Sequence, residues 1–147
     1  MGTYSFADVA ATLVGAGGVI DLGAGAGVAD EGITIEMAGD KNTMTVGADG
    51  EGMHSLHADK SGTVTVTLLK TSPTNAKLMA LYSLQSNSSS LHGQNVITIT
   101  NPQTGDVTTC RQCAFRKLPA NVYGKDGGTN AWVFDAIKID PVLGVFK

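Results

Sequence analysis

Long hydrophobic runs are missing from this 147-residue sequence. The least polar stretch, Val9 to Ile20, contains Thr12 and three glycines and stops at Asp21, well short of the ~20 apolar residues that a bilayer span requires. No membrane insertion is expected. Charge is also scarce, with 16% Asp, Glu, Lys and Arg against 42% hydrophobic residues, which excludes a disordered acidic or basic tail. No Lys or Arg precedes the apolar part of the N-terminus, so a secretory signal is not expected. Phe6 stands where N-myristoylation after Gly2 would need Ser or Thr. Synthesis in a cytoplasm is therefore the expectation. Aromatic residues make up only 5% and cysteines number two, whereas glycine reaches 19 without the fixed triplet of collagen.

What is present fits one domain over residues 1–147, long enough to bury a core without disulfide staples. The net charge of −3 argues against a general nucleic-acid binder, which needs a basic face to displace counterions from phosphates. Its distribution is uneven. Residues 1–59 carry nine carboxylates (Asp8, Asp21, Asp30, Glu31, Glu36, Asp40, Asp49, Glu51 and Asp59) against Lys41 alone. Residues 60–147 carry nine bases against Asp106, Asp126, Asp135 and Asp140. Such a chain attracts copies of itself if the two regions lie on different faces, and has no dipole if the fold interleaves them.

The periodicity is that of strands. Ile33, Ile35 and Met37 alternate with Thr34 and Glu36, and Val64, Val66 and Leu68 alternate with Thr63, Thr65 and Thr67, the pattern of half-buried, β-branched strands. Val96 to Thr100 repeats the theme, NPQTGD turns it into Val107 to Phe115, and KDGG precedes a last strand over Asn130 to Ile139. Two further strands are predicted at Tyr4 to Val14 and Val19 to Leu22 around the Gly-rich turn 15–18. One helix is predicted from about Pro73 to Leu84, with Ser72 as cap and Leu78, Leu81 and Tyr82 on one face. The expectation is a mainly β sandwich or barrel of about eight strands with one short flanking helix.

Catalytic chemistry finds no foothold. The pieces GAGG (15–18) and GAGAG (23–27) have neither the spacing nor the Gly-Lys-Ser/Thr ending of a phosphate loop and read as turns. Cys110 and Cys113 form a single C-x-x-C on a strand, where residues three apart point to opposite faces; they read as free thiols, with no zinc site and no redox motif. His54 and His57 would share a metal only on a helix, and the glycines at 47, 50 and 52 argue against one. No Ser sits in G-x-S-x-G. No enzyme activity, cofactor or metal is expected.

The run DEGITIEMAGDKNTMTVGADGEGMHSLHADKSGTVTVTLLKTSPTNAKLMALY (30–82), with GQNVITITNPQTGDV (93–107) and KDGGTNAWVFDA (125–136), resembles the tail tube proteins of contractile-tailed bacteriophages, specifically the phiTE-type tube family. The resemblance implies a tail-tube-like β-sandwich or barrel and a structural virion protein. Six copies would close into a ring, and rings would stack into the hollow inner tube through which DNA is ejected. Implied partners are the chain itself, the tail sheath protein, baseplate or tape-measure and terminator proteins, and double-stranded DNA as passing cargo. The alternative is a monomeric Ig-like decoration or adhesion domain of a virion or cell surface.

Within that frame the polar segment Ala38 to Lys60 reads as an arm or hairpin that orders against a neighbouring copy, with Asp40, Lys41, Asn42, Asp49 and Glu51 as candidate contacts between rings. The competing reading is a solvated loop. A conduit must not bind the duplex it passes, so a negative wall is favoured; Glu36, then Asp8 and Asp21, are candidate lumen-lining residues. Otherwise these acids lie on the outer wall or pair with the basic second half.

Overall fold

The computed structural model describes residues 2–16, 18–23 and 28–145. Its elements, in chain order, are β1 (Ala10–Gly15), β2 (Gly18–Asp21), β3 (Val28–Met37), β4 (Asn42–Val46), β5 (Gly52–Leu56), β6 (Gly62–Leu69), α1 (Thr74–Gln85), β7 (Asn95–Asn101), β8 (Asp106–Lys117) and β9 (Thr129–Val142). Seven strands form one antiparallel sheet in the order β2-β1-β7-β8-β9-β6-β3, and β4 and β5 form a separate two-stranded ribbon. The mainly β class with one helix is as the periodicity predicts. The described strands number nine, and among the described residues the sheet ends at β2 and β3 and does not close into a barrel.

Alternation decides which face of each strand is buried. On β6, Val64, Val66 and Leu68 are fully buried while Thr63 and Thr65 are half-exposed on the opposite face. Leu13 of β1, Ile97 of β7, and Trp132 and Phe134 of β9 join them with Ile20, Leu22, Cys110 and Phe115 in one contiguous core. The helix lies across this face. Its Leu78 and Leu81 are buried, Lys77 is exposed, and Tyr82 meets Phe115 edge-on with ring centroids 5.6 Å apart. Phe115 also packs on Phe134 at 4.7 Å and Trp132 at 6.0 Å, so one ring links the helix to the two aromatic residues of β9.

Both ends of the helix are tied by amide side chains. At the start, Asn75 Oδ1 accepts from Trp132 Nε1 at 2.9 Å, and Asn75 Nδ2 donates to the Leu69 and Ser72 carbonyls. The Ser72 hydroxyl accepts from the Thr74 N–H at 3.3 Å, so the predicted cap acts one residue before Pro73 occupies the N-cap position. At the end, Gln85 and Asn95 exchange two hydrogen bonds, 2.6 and 2.8 Å, inside the core.

Two local expectations are corrected. No strand runs from Tyr4: Phe6–Asp8 form a 3-10 turn, because the Ser5 hydroxyl accepts from the Ala7 N–H and holds the chain in a turn until β1 begins at Ala10. Cys110 and Cys113 do not point to opposite faces; both are fully buried. Between them Gln112 adopts φ 55°, and Arg111 and Gln112 together oppose only Val96 of β7. This bulge resets the alternation by one residue. The reset is shared by β9, where Ala136 and Ile139 are buried on either side of exposed Ile137 and Lys138. Of the Gly-rich pieces, Gly17 and residues 24–27 lie outside the described residues.

Because Leu81 is buried between helix and sheet, Leu81→Ala should destabilise the chain by ~2 to 5 kcal/mol. Chemical denaturation followed by near-ultraviolet circular dichroism measures this, and a loss well under ~1 kcal/mol would mean that the helix does not pack as described.

Candidate assembly surfaces

The ribbon of β4 and β5 occupies the polar segment. Asn42 opposes Leu56, Met44 opposes His54 and Val46 opposes Gly52, so Met44, Val46, His54 and Leu56 share one face; Thr43, Thr45, Met53 and Ser55 share the other. Neither face is covered. Leu56 is 87% exposed and Met44 63%, so the pair carries large apolar side chains with no sheet behind it, an arrangement that is marginal in water. At its tip the Gly47 N–H donates to the Glu51 carbonyl at 2.7 Å, and the Asp49 carboxylate accepts from the Glu51 N–H. Gly50 takes φ +88°, a conformation that glycine adopts without steric cost.

At the root the two arms hold each other: the His57 N–H donates to the Lys41 carbonyl, Lys41 Nζ donates to the Asp59 carbonyl, and Thr43 Oγ1 meets His57 Nε2 at 3.3 Å. Hydrogen bonds from the Ser61 side chain and backbone N–H hold the Asp59 carboxyl below its ordinary value. His54 and His57 fall on opposite faces of the ribbon, as expected of residues three apart on a strand. Asp40, Lys41 and Asn42 are exposed at the root of the ribbon and Asp49 and Glu51 at its tip, so the five share one ribbon but fall at its two ends.

The lining candidates are not together. Asp21 lies on edge strand β2 and Glu36 on the opposite edge strand β3, and Asp8 is half-buried in the 3-10 turn, outside the sheet. Asp21 and Glu36 do share the sheet's solvent face. There, Asp21, Thr12, Thr98, Thr109 and Asp140 form one cross-strand row, and Glu36, Thr63, Asp135 and Ala114 form another. Asp135 and Asp140 were not singled out from sequence. The alternation of β9 could have found Asp135, but the phase reset hides Asp140.

Two bases answer the Asp140 carboxylate: Arg111 Nη1 at 2.9 Å and Lys60 Nζ at 3.3 Å. Desolvation pushes its pKa up, but the Lys60 hydrogen bond and the charges of Lys60, Lys138 and Arg111 outweigh it and leave the group below 3.8. Arg116 faces Asp135 at 3.8 Å across a groove of about 610 Å³ that Glu36 and Asp59 also line. Burial pushes the Cys110 thiol to about 11; burial, then the neighbouring Cys110, pushes Cys113 to about 12. Both stay protonated and unreactive at neutral pH. Among the described residues, no three His, Cys, Asp or Glu side chains are placed to hold a metal ion, and no helix is long and apolar enough to cross a membrane.

Residues 1–144 match the family described as bacteriophage PhiTE tail tube protein. The chain belongs to that tail tube family. No curated protein sequence matches it. Among solved structures it is similar to the tube-terminating cap of the anti-feeding prophage, with TM-score 0.56 and 10% identity over 97% of this chain and 93% of that one. It is also similar to a chain of the sheath-tube complex of an extracellular contractile injection system, PVC, in its extended state, with TM-score 0.51 and 13% identity over 90% and 88%. At such identity these two likenesses concern the fold. The family carries the rest: this is a structural tube protein of a virion tail.

The Asp140 cluster yields a pH-dependent test. A carboxyl whose pKa is lowered on folding contributes stability above its unfolded pKa and loses it as pH falls through the folded value. Asp140→Asn should therefore lower the melting temperature modestly at neutral pH, and the difference should vanish as pH falls below 3.8. Parallel thermal melts of the two proteins across that range provide the measurement.

Proposed function

We propose that this chain acts as one tail tube unit over residues 1–147, six copies of which close into a ring and whose rings stack into the inner tube of a contractile tail. The observation that carries the reading is the β4–β5 ribbon, exposed on both faces and bearing large apolar side chains. A short isolated strand pair is marginal in water; it gains stability by lying on another copy. Membership of the tail tube family supports the same reading. The open edges β2 and β3 supply the second requirement: unpaired edge strands join neighbouring copies through main-chain hydrogen bonds. A head-to-tail contact that closes by rotation makes a ring, and a second makes a stack.

In this arrangement Asp40, Lys41, Asn42, Asp49 and Glu51 contact the adjacent ring. The threonine-rich solvent face, with Glu36, Asp21, Asp135 and Asp140, lines the channel. Those four carboxylates balance Lys60, Arg111, Arg116 and Lys138, and a hydroxyl-rich face with no basic excess among its described residues lets duplex DNA pass without counterion release that would hold it. Asp8 lies off that face and is the weakest of the lining candidates. The tail sheath surrounds the tube, baseplate or tape-measure proteins start it and a terminator ends it. The role is that of a conduit, with no catalytic activity.

Purified protein at high concentration should form rings or hollow rods in negative-stain microscopy. Deletion of Asp49 to Gly52 should leave the circular dichroism spectrum of the folded sheet intact and abolish the rods. Uniform small particles from the intact chain would overturn the tube reading.

A further inference from the structure

Resting on the tube reading, and naming the surface on which the ribbon lands, we infer that the ribbon end of one copy docks on the Lys117–Gly128 end of the next. The two ends lie at opposite extremes of the strand direction. At one, the Ile139 N–H of β9 donates to the Lys60 carbonyl beside the ribbon's root; at the other, the Lys70 N–H donates to the Gly128 carbonyl just before β9 begins at Thr129. The β9 residues between Thr129 and Ile139 span about 30 Å at ~3.3 Å each. A copy translated along the strands therefore presents its far end to this ribbon.

The two ends match in charge. The ribbon and its root expose Asp40, Asp49, Glu51 and Asp59 against Lys41, with Lys60 already paired to Asp140. The far end gathers Lys70, Lys117 and Lys125 against Asp126, with Arg116 already facing Asp135. They also match in apolar character. Leu56, Met44 and Val46 lie bare on one ribbon face, and Leu118, Val122 and Tyr123 lie bare on the far loop. That loop is held ready: Lys70 Nζ donates to the Val122 carbonyl and sits 3.9 Å from the centroid of the Tyr123 ring. The competing surfaces fit less well. The groove beside β3 is lined by Glu36, Asp59 and Asp135 against Arg116, a net negative wall that repels an acidic ribbon, and the cleft between β2 and α1 offers Lys77 as the one charge among its described residues. Opposite charges select the orientation and register of the contact, and the apolar side chains supply the burial.

Site-directed cross-linking tests the pairing. Leu56→Cys and Val122→Cys alter exposed positions, and the native Cys110 and Cys113 are fully buried and do not compete. The two single variants are mixed under oxidising conditions, with Leu56→Cys plus Val145→Cys as the control pair, since Val145 is exposed beside the β7–β8 turn. A disulfide dimer from the first mixture that exceeds the control is expected. Rods by microscopy without that dimer would overturn the docking and leave the tube reading standing. The dimer without rods would keep the docking and overturn the tube reading, and absence of both would overturn both. Charge exchange provides the second measurement: Lys117→Glu with Lys125→Glu should abolish the dimer, and adding Asp49→Lys with Glu51→Lys should restore it. A double reversal that leaves the dimer unchanged would also overturn the docking.

Discussion

A seven-stranded open sheet has one apolar face to bury, and a single twelve-residue helix lies across it. Everything else depends on that helix staying in register with the sheet. Its own apolar stripe is short, so the burial of Leu78 and Leu81 leaves rotation and sliding weakly opposed. The buried pair of Gln85 and Asn95 opposes both, because two antiparallel amide hydrogen bonds form in only one alignment. Each bond contributes only about 1 kcal/mol net, but leaving one buried amide unpaired would cost ~1 to 3 kcal/mol. The penalty for misalignment thus exceeds the reward for alignment, which is how a polar pair specifies a core. Gly15 belongs to this device: a Cβ there would sit against the Asn95 amide oxygen.

The phase reset on β8 and β9 has the same logic on a larger scale. Long strands with strict alternation would carry residues after the reset to the wrong face. Gln112 accepts a left-handed backbone, uncommon for a side chain of its type, and the neighbouring strand adds Ile137 and Lys138 in step. The result keeps Cys110 and Ile139 in the core alongside Cys113 and Ala136, and it turns Arg111 and Asp140 toward one another on the solvent face. Local backbone strain is thereby exchanged for continuous burial on two strands and an ion cluster that also holds Lys60.

Strand-level structure was legible where one rule acted alone. The alternations at 33–37 and 63–68, the turn at NPQTGD and the helix of Leu78 and Leu81 all follow from period and turn chemistry. Legibility failed where two rules competed. Tyr4 to Val14 alternates acceptably, but the Ser5 hydroxyl captures a backbone N–H and starts a turn. The C-x-x-C looked split between faces because a bulge leaves no composition signal, and Gln112 is an improbable residue to suspect of positive φ. The ribbon was visible as polar, Gly-punctuated chain, yet its two-stranded form depends on pairing Asn42–Val46 with Gly52–Leu56 across a tip that Gly50 and the Asp49 carboxylate shape.

The division of charge then acquires a structural meaning. Of the acidic first half, residues 40–59 lie on the ribbon and its root, whereas Glu36 and Asp21 remain on the sheet face. Bases of the second half divide likewise: Lys60, Arg111 and Arg116 answer carboxylates on their own chain, while Lys117 and Lys125 stand exposed at the opposite end. Self-pairing in the middle and opposite excesses at the ends is the pattern that lets a chain be stable alone and still polymerise in one direction. Neither excess is large, and at physiological salt such charges are screened beyond about 8 Å. They therefore act only once the ends are nearly in contact, selecting the orientation in which apolar side chains meet and leaving the strength of the joint to burial.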